Sequence, residues 1–299
     1  MSALERVTMD AVRSVVRGAR GASAALRNPL FVPPGHFYSP IPAQADLLRA
    51  AETARGRSEL PGIDLRAQQQ RDLVAKLAPS WAEVPTSRRE EWRYYPDNPM
   101  FGLADAAVYY SMFRELKPAK VIEVGSGFSS AIGLDAADRY APDTSFTFVE
   151  PYPERLLSIL RPADQQRCEL IRSGVQEVPL STFDQLRSGD LLFIDSTHVS
   201  KAGSDVNYLF FEVLPRLADG VVIHVHDIFW PFEYPAEWLR EGRNWTENYL
   251  LRAFLTHNTA FEILLFNSWF WETENAAVRA ALPQAAALLP GSIWLRKVG

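Results

Sequence analysis

Apolar positions change their spacing twice along the chain. As far as residue 61 they are scattered among prolines and arginines. From Leu65 to Leu116 they return at helical intervals, predicting helices over 65–77 and 104–116 with an aromatic, charged stretch over 81–100 between them. After Pro118 they condense into short runs at 121–124, 146–149, 169–171, 191–194, 221–225, 261–266 and 292–295. Helical segments separate these runs, from Ser129, from Pro153, over 205–214 and near 247–255. An unbroken apolar run is covered on both faces, and runs alternating with helices predict parallel strands joined by right-handed crossovers. The pattern describes an α/β chain with a doubly wound, Rossmann-like sheet of seven strands, the last two close enough to pair. An N-terminal arm and helical cap over 1–100 precedes the α/β domain of 101–299.

Composition narrows the partners. A hydrophobic fraction of 47% suits a chain that buries a real core, and a net charge of -5 gives no reason to expect nucleic acid. Cys168 is the single cysteine, so no intramolecular disulfide forms; it reads as a packing residue in a reducing compartment. No apolar run reaches bilayer length and no signal segment opens the chain, so a cytoplasmic protein without integral membrane association is expected. Arg6, Arg13, Arg17, Arg20 and Arg27 allow an amphipathic helix, although a surface-packed tail is the preferred reading. The prolines of 31–42 predict an ordered arm.

Candidate chemistry gathers at strand ends. Glu123-Val-Gly125-Ser126-Gly127 follows the first strand and opens a helix, where small residues let a backbone approach a ligand and helix amides face it. Glu150, at the tip of the second strand, is placed to accept hydrogen bonds from ribose hydroxyls. Asp195 ends the fourth strand at the edge where open α/β sheets bind ligands. On the fifth, His224 and His226 share a face by period two; His224 reads as core, whereas His226 and Asp227 sit nearer the ligand edge. Aromatic residues crowd 230–238 and 245–249, a lid or one wall of an acceptor pocket.

These motifs resemble the class I S-adenosylmethionine-dependent methyltransferases, and more narrowly the family called methyltransferase domain 24, over residues 117–299. The resemblance implies an antiparallel seventh strand. It implies that Gly125, Ser126 and Gly127 pack against the methionine and adenosine parts of the cofactor, that Glu150 binds ribose, and that Ser173 and Gly174 lie near adenine. Glu123 and Asp195 complete the cofactor set. The family's third glycine is Ser129 here.

The fourth and fifth strand ends also resemble metal-dependent catechol-type O-methyltransferases. Asp195 matches their first acid, His226 and Asp227 occupy the position of an Asp-Asn pair, and His198 stands where a lysine would. On this likeness Asp195, His226 and Asp227 are the metal candidates, and whether Mg2+ or another divalent cation takes part is open, because imidazole nitrogen favours softer ions. His198, His226 and Asp227 are the catalytic candidates, His198 being the preferred general base since imidazole titrates near neutral pH. The expected reaction is methylation of a hydroxyl on a small-molecule acceptor, a sugar or secondary metabolite. Three other readings use parts of the same pattern: a metal-dependent oxidative enzyme on this fold, a nicotinamide-dependent oxidoreductase, and a non-catalytic module. An apolar cap helix offers a contact for a homo-oligomer.

Overall fold

The computed structural model describes residues 30–54 and 56–299, so the arginine-rich segment 1–27 lies outside the described residues. The chain divides into two units at Ala50 and Ala51. In the first, a proline-rich turn region closes where Gly35 N donates to Ile41 O at 3.0 Å, and it leads into helix α1 (Gln44–Ala54). Phe31, Phe37 and Tyr38 stand exposed there.

The second unit carries a seven-stranded sheet in the order β3-β2-β1-β4-β5-β7-β6. The strands are β1 (Lys120–Val124), β2 (Ser145–Val149), β3 (Cys168–Ile171), β4 (Leu191–Ile194), β5 (Val222–His226), β6 (Phe261–Phe266) and β7 (Ser292–Lys297). The first five neighbours run parallel, and β7 lies antiparallel between β5 and β6. The seven expected runs are therefore seven strands, and the seventh is the antiparallel one. Central strands are fully covered: every residue of β4 and β5 is buried, which explains the unbroken apolar sequence of β4, and β5 departs from it only at His224 and His226. Each such side chain contributes roughly 1.5–3 kcal/mol by leaving water.

The helices of this unit begin with α2 (Ala67–Leu77), α3 (Leu103–Leu116), α4 (Phe128–Tyr140) and α5 (Glu154–Ile159). Later come α6 (Leu180–Phe183), α7 (Asp205–Tyr208), α8 (Ala236–Arg240), α9 (Glu247–Leu255), α10 (Asn267–Thr273) and α11 (Asn275–Ala281). Helix α3 is buried along almost its whole length and packs on α4. Gly133 makes that approach possible, since a Cβ there would come within 2.7 Å of Tyr109 Oη. Helix α2 covers the edge strand β6, where Gln70 Oε1 accepts the amide of Phe266 at 2.8 Å.

Two stretches differ from the apolar pattern. The helix expected over 205–214 stays α-helical only to Tyr208, then widens over Leu209–Val213 and tightens over Leu214–Arg216. Pro215 has no amide to donate and its ring crowds the preceding turn, so a regular helix cannot run through it. Helices α10 and α11 fill a stretch between β6 and β7 for which the pattern predicted no element. Among the described residues no helix is long and apolar enough to cross a membrane.

The strand sequence reverses direction between β1 and β4, so their carboxyl ends flank the crevice at which sheets of this kind hold ligands.

Candidate active site

The crevice is built on the β1 side by a loop whose backbone does the work. Gly125 has φ +79°, and a Cβ on it would lie 1.8 Å from the carbonyl oxygen of Asp195, so no other residue fits there without moving β4. Its amide donates to Val149 O at 3.0 Å. Ser126 N donates to Glu150 Oε2 at 3.0 Å and Tyr152 N to Glu150 Oε1 at 2.8 Å, which fixes the carboxylate at the tip of β2. Ser126 Oγ and Ser196 Oγ are buried beside the loop without a hydrogen-bond partner among the described residues.

Glu123 lies under the loop, fully buried, where Oε1 accepts from Ser129 Oγ at 2.6 Å and Ser130 Oγ at 2.9 Å. Burial pushes its carboxyl up to about 8 against those two hydrogen bonds. It therefore braces the start of α4 and is absent from the walls of the cleft.

Two adjoining cavities occupy the crevice. One of about 370 Å³ is lined by Val149, Glu150, Gly174, Val175, Thr197 and Asp205 among others. The second, of about 400 Å³, is bounded by Phe128, Arg155, His198, His226, Asp227 and Trp245. Gly125, Glu150, Asp195, Ser196 and Thr197 border both. Grooves of about 670 and 820 Å³ lie elsewhere and hold none of these residues. Ser173 does not line the cleft; it sits just before Gly174, to whose carbonyl its hydroxyl donates at 3.3 Å.

The ends of β4 and β5 bring charge together. His198 and Asp227 both have left-handed backbones, φ 60° and 56°, a conformation of order 1 kcal/mol uphill for a residue with a side chain. His198 Nε2 lies 3.4 Å from Asp195 Oδ1 and 3.4 Å from Asp227 Oδ2, while its Nδ1 is 2.8 Å from Glu247 Oε2. Among the described residues, Asp195, His198 and Asp227 form the group whose ligand atoms all fall within 4.8 Å of one another. His226 stands to one side, its Nε2 3.7 Å from Asp227 Oδ1 and its Nδ1 3.4 Å from His224 Nε2.

Burial alone would lower the His198 imidazole, but its bonds to Asp195 and Glu247 and the charge of Asp227 hold it well above its usual value. Burial likewise opposes the charged form of His226, and Asp195, Asp227 and Asp105 outweigh it. Asp227 is raised by burial, to about 6, in spite of the two histidines, whereas those histidines keep Asp195 below the ordinary carboxylate range. Asp195 also retains 30% side-chain exposure toward the cleft. Burial and the adjacent His226 both push the His224 imidazole well below its usual value, and it stacks on Phe193 with centroids 4.0 Å apart.

Of the residues singled out in the sequence, the crevice gathers Gly125, Ser126, Gly127, Glu150, Gly174, Asp195, His198, His226 and Asp227. The metal-like cluster differs from the expected set by holding His198 in the place given to His226. Glu247, Arg155, Met100 and Phe101 were not singled out by sequence. Glu247 looks there like any acid in the first turn of a helix. Met100 and Phe101 arrive on a strap over 92–101 that Arg93 anchors through Asp135, Asp138 and Asp164 at 2.6–2.9 Å. Tyr94 and Asn98 fold the strap back, the tyrosine hydroxyl donating to Phe101 O and Asn98 Oδ1 accepting its amide. Trp245 caps the cleft, 4.5 Å from the His198 ring, and Arg243 lies over both Trp238 and Trp245.

Comparison with known proteins bears on this arrangement. The model of a family described as a methyltransferase domain matches residues 122–228. A protein of Archaeoglobus fulgidus, described only as uncharacterized, is 31% identical over 197 residues, covering 62% of this chain and 87% of the relative. Solved structures with a similar chain path include CmcI with SAH, at 16% identity over 74% of this chain and 91% of that one, TM-score 0.43. An SAH-bound methyltransferase of Podospora anserina has 14% identity over 86% and 97%, TM-score 0.43. The O-methyltransferase TomG of Streptomyces achromogenes, in complex with SAM, has 14% over 85% and 99%, TM-score 0.43. The family match falls on β1 through the end of β5, the stretch that supplies the glycine loop, Glu150, Asp195 and Asp227, and with the relative and the sheet order it shows that the chain belongs to the class I S-adenosylmethionine-dependent methyltransferases.

Proposed function

We propose that this methyltransferase methylates a hydroxyl oxygen of a small molecule and that Asp195, His198 and Asp227 hold a divalent cation, Mg2+ or a softer ion, beside the acceptor. One observation carries the reading: two carboxylates and an imidazole nitrogen converge at the carboxyl ends of β4 and β5, next to the glycine loop. The donor set suits a cation, since two carboxylate oxygens and an imidazole nitrogen are donors that divalent ions accept. Such an ion would lower the pKa of a hydroxyl brought to it.

The chain's own groups supply the rest. In-line methyl transfer needs alignment above all. On the cofactor side, Glu150 takes the ribose, Gly125, Ser126, Gly127 and Asp195 line the methionine part, and Gly174 lies toward adenine. Trp245, Phe101 and Met100 close the acceptor side, whose cavity has the scale of a small organic molecule. With a cation in place Asp227 would serve as its ligand; without one Asp227 would receive the hydroxyl proton, being the carboxylate that burial raises to about 6, with Oδ1 facing His226 and Oδ2 facing His198. His198, held charged or bound to a cation, then orients instead of acting as base. Within the second unit, residues 51–100 serve as a cap to the catalytic part of 101–299.

The test is calorimetric titration with S-adenosylmethionine, with and without EDTA and added divalent ions, on the wild type and on Glu150→Ala. Micromolar binding that the variant weakens about tenfold, roughly 1.4 kcal/mol, supports the cofactor geometry. Absence of binding under every condition sinks the reading, and full turnover of an accepted hydroxyl after EDTA removes the cation from it.

A further inference from the structure

Glu247 is a carboxylate with 0% exposure, and burying such a group costs several kcal/mol unless a partner repays it. Its partner is His198. The grip is threefold: Glu247 Oε2 meets Nδ1 at 2.8 Å, and the amides of Thr246 and Glu247 donate to His198 O at 2.9 and 3.1 Å. Thr246 Oγ1 also accepts Ser200 N at 2.7 Å, so the first turn of α9 clamps the loop after β4 from both sides of His198. Asn248, next in that turn, accepts Phe229 N at 3.1 Å and ties in the loop after β5. One helix end thus sets the spacing between the strand ends that carry Asp195 and Asp227.

An imidazole that donates from Nδ1 to a carboxylate presents Nε2 as its acceptor. Here Nε2 stands 3.4 Å from each of two carboxylate oxygens, longer than a strong charge-assisted hydrogen bond of about 2.7–2.9 Å. Around an ion with ligand bonds near 2.0–2.2 Å, tetrahedral ligands lie about 3.4 Å apart. The spacing fits a shared cation better than a proton.

We propose that Glu247 is a positioning residue: it fixes His198 with Nε2 aimed between Asp195 and Asp227, and so makes the site prefer ions that accept nitrogen, such as Co2+, over Mg2+. The inference rests on the cation reading of the proposed function. A carboxylate behind a ligating histidine orients the ring and raises its basicity, and losing it weakens metal binding about 10–100-fold. Mg2+ favours oxygen donors and gains little from the histidine.

The experiment titrates the full chain and Glu247→Gln separately with Co2+ and with Mg2+, and records the visible spectrum of the Co2+ protein. The expected result is at least tenfold preference for Co2+ in the wild type. Glu247→Gln should cost about 10–100-fold in Co2+ affinity, shift the spectrum, and change Mg2+ and S-adenosylmethionine binding by less than about threefold. In a His198→Asn background the same substitution should cost nothing further. Unchanged Co2+ binding and spectrum in Glu247→Gln, or equal weakening of both ions, overturns the role of Glu247 while the cation reading stands. A wild type that binds neither ion overturns both. Should Glu247→Gln fail to fold, nitrogen-15 NMR of the Zn2+-loaded wild type decides: a histidine protonated on Nδ1 with Nε2 on the metal supports the proposal, and the opposite tautomer at His198 overturns it.

Discussion

The glycine-loop side of the cleft and the side formed by β4 and β5 are held by different forces. Backbone amides and a positive φ shape the first, within the single chain stretch from Val124 to Glu150 and in direct continuity with two adjacent strands. Buried side-chain charge shapes the second, where Asp195, His198, Asp227 and Glu247 come from three chain segments. A backbone-built half is local and tolerates little but glycine at its tightest point. A charge-built half depends on every partner being present, because removing one leaves its neighbours buried and uncompensated.

Asp227→Asn tests the charge-built half most severely: turnover should fall by about 10²–10⁴-fold with S-adenosylmethionine affinity held within about threefold. A parallel loss of cofactor affinity would show that the halves are not separable. Gly125→Ala acts on the other half. Its Cβ has no room against Asp195 O, so cofactor binding measured by calorimetry should drop at least about 100-fold. Near-normal binding would mean that the loop shifts freely and that backbone shape is not what holds it.

Glu123→Gln tests whether the buried acid under the loop is a structural brace. The folded state raises this carboxyl from an ordinary value near 4.5 to about 8. Below pH 4.5 both folded and unfolded chains keep the proton and the group costs nothing; from there the unfolded chain ionises first, so stability falls as pH rises toward 8. Glu123→Gln should therefore melt progressively higher than the wild type as pH goes from 5 to 8. A constant difference in melting temperature across that range contradicts the assignment. The smallest expected effect is at the rim: Trp245→Leu should raise the acceptor KM about tenfold and leave cofactor affinity within twofold, and an unchanged KM would move the acceptor away from that ring.

Periodicity carried the fold well because the strands are covered on both faces, and a short continuous apolar run such as Leu191–Ile194, set between helical segments, suits a buried strand and little else. It failed where packing depends on distant partners. Helices α10 and α11 owe their burial to contacts such as Trp271 with Trp81, 190 positions earlier, which no local window contains. The turn at Pro215 was legible in principle, since proline is incompatible with a continuing helix.

The candidate site divides the same way. Gly125, Gly127 and Glu150 were readable because chain order alone puts a loop and an acid at the ends of neighbouring parallel strands. Asp195, His198, His226 and Asp227 were readable as strand-end residues, but their pairing was not: that His198 faces both aspartates, with His226 to one side, depends on left-handed backbone at positions 198 and 227. Glu247 carried no signal in the sequence, since an acid in the first turn of a helix is favoured by the helix dipole anyway. Sequence by itself determined the seven strands, their alternation with helices and the family, because these follow from short-range patterns and a compact motif. Only the tertiary structure decided which charges meet, because the energy of a buried ion cluster depends on separations of a few ångströms between residues tens of positions apart.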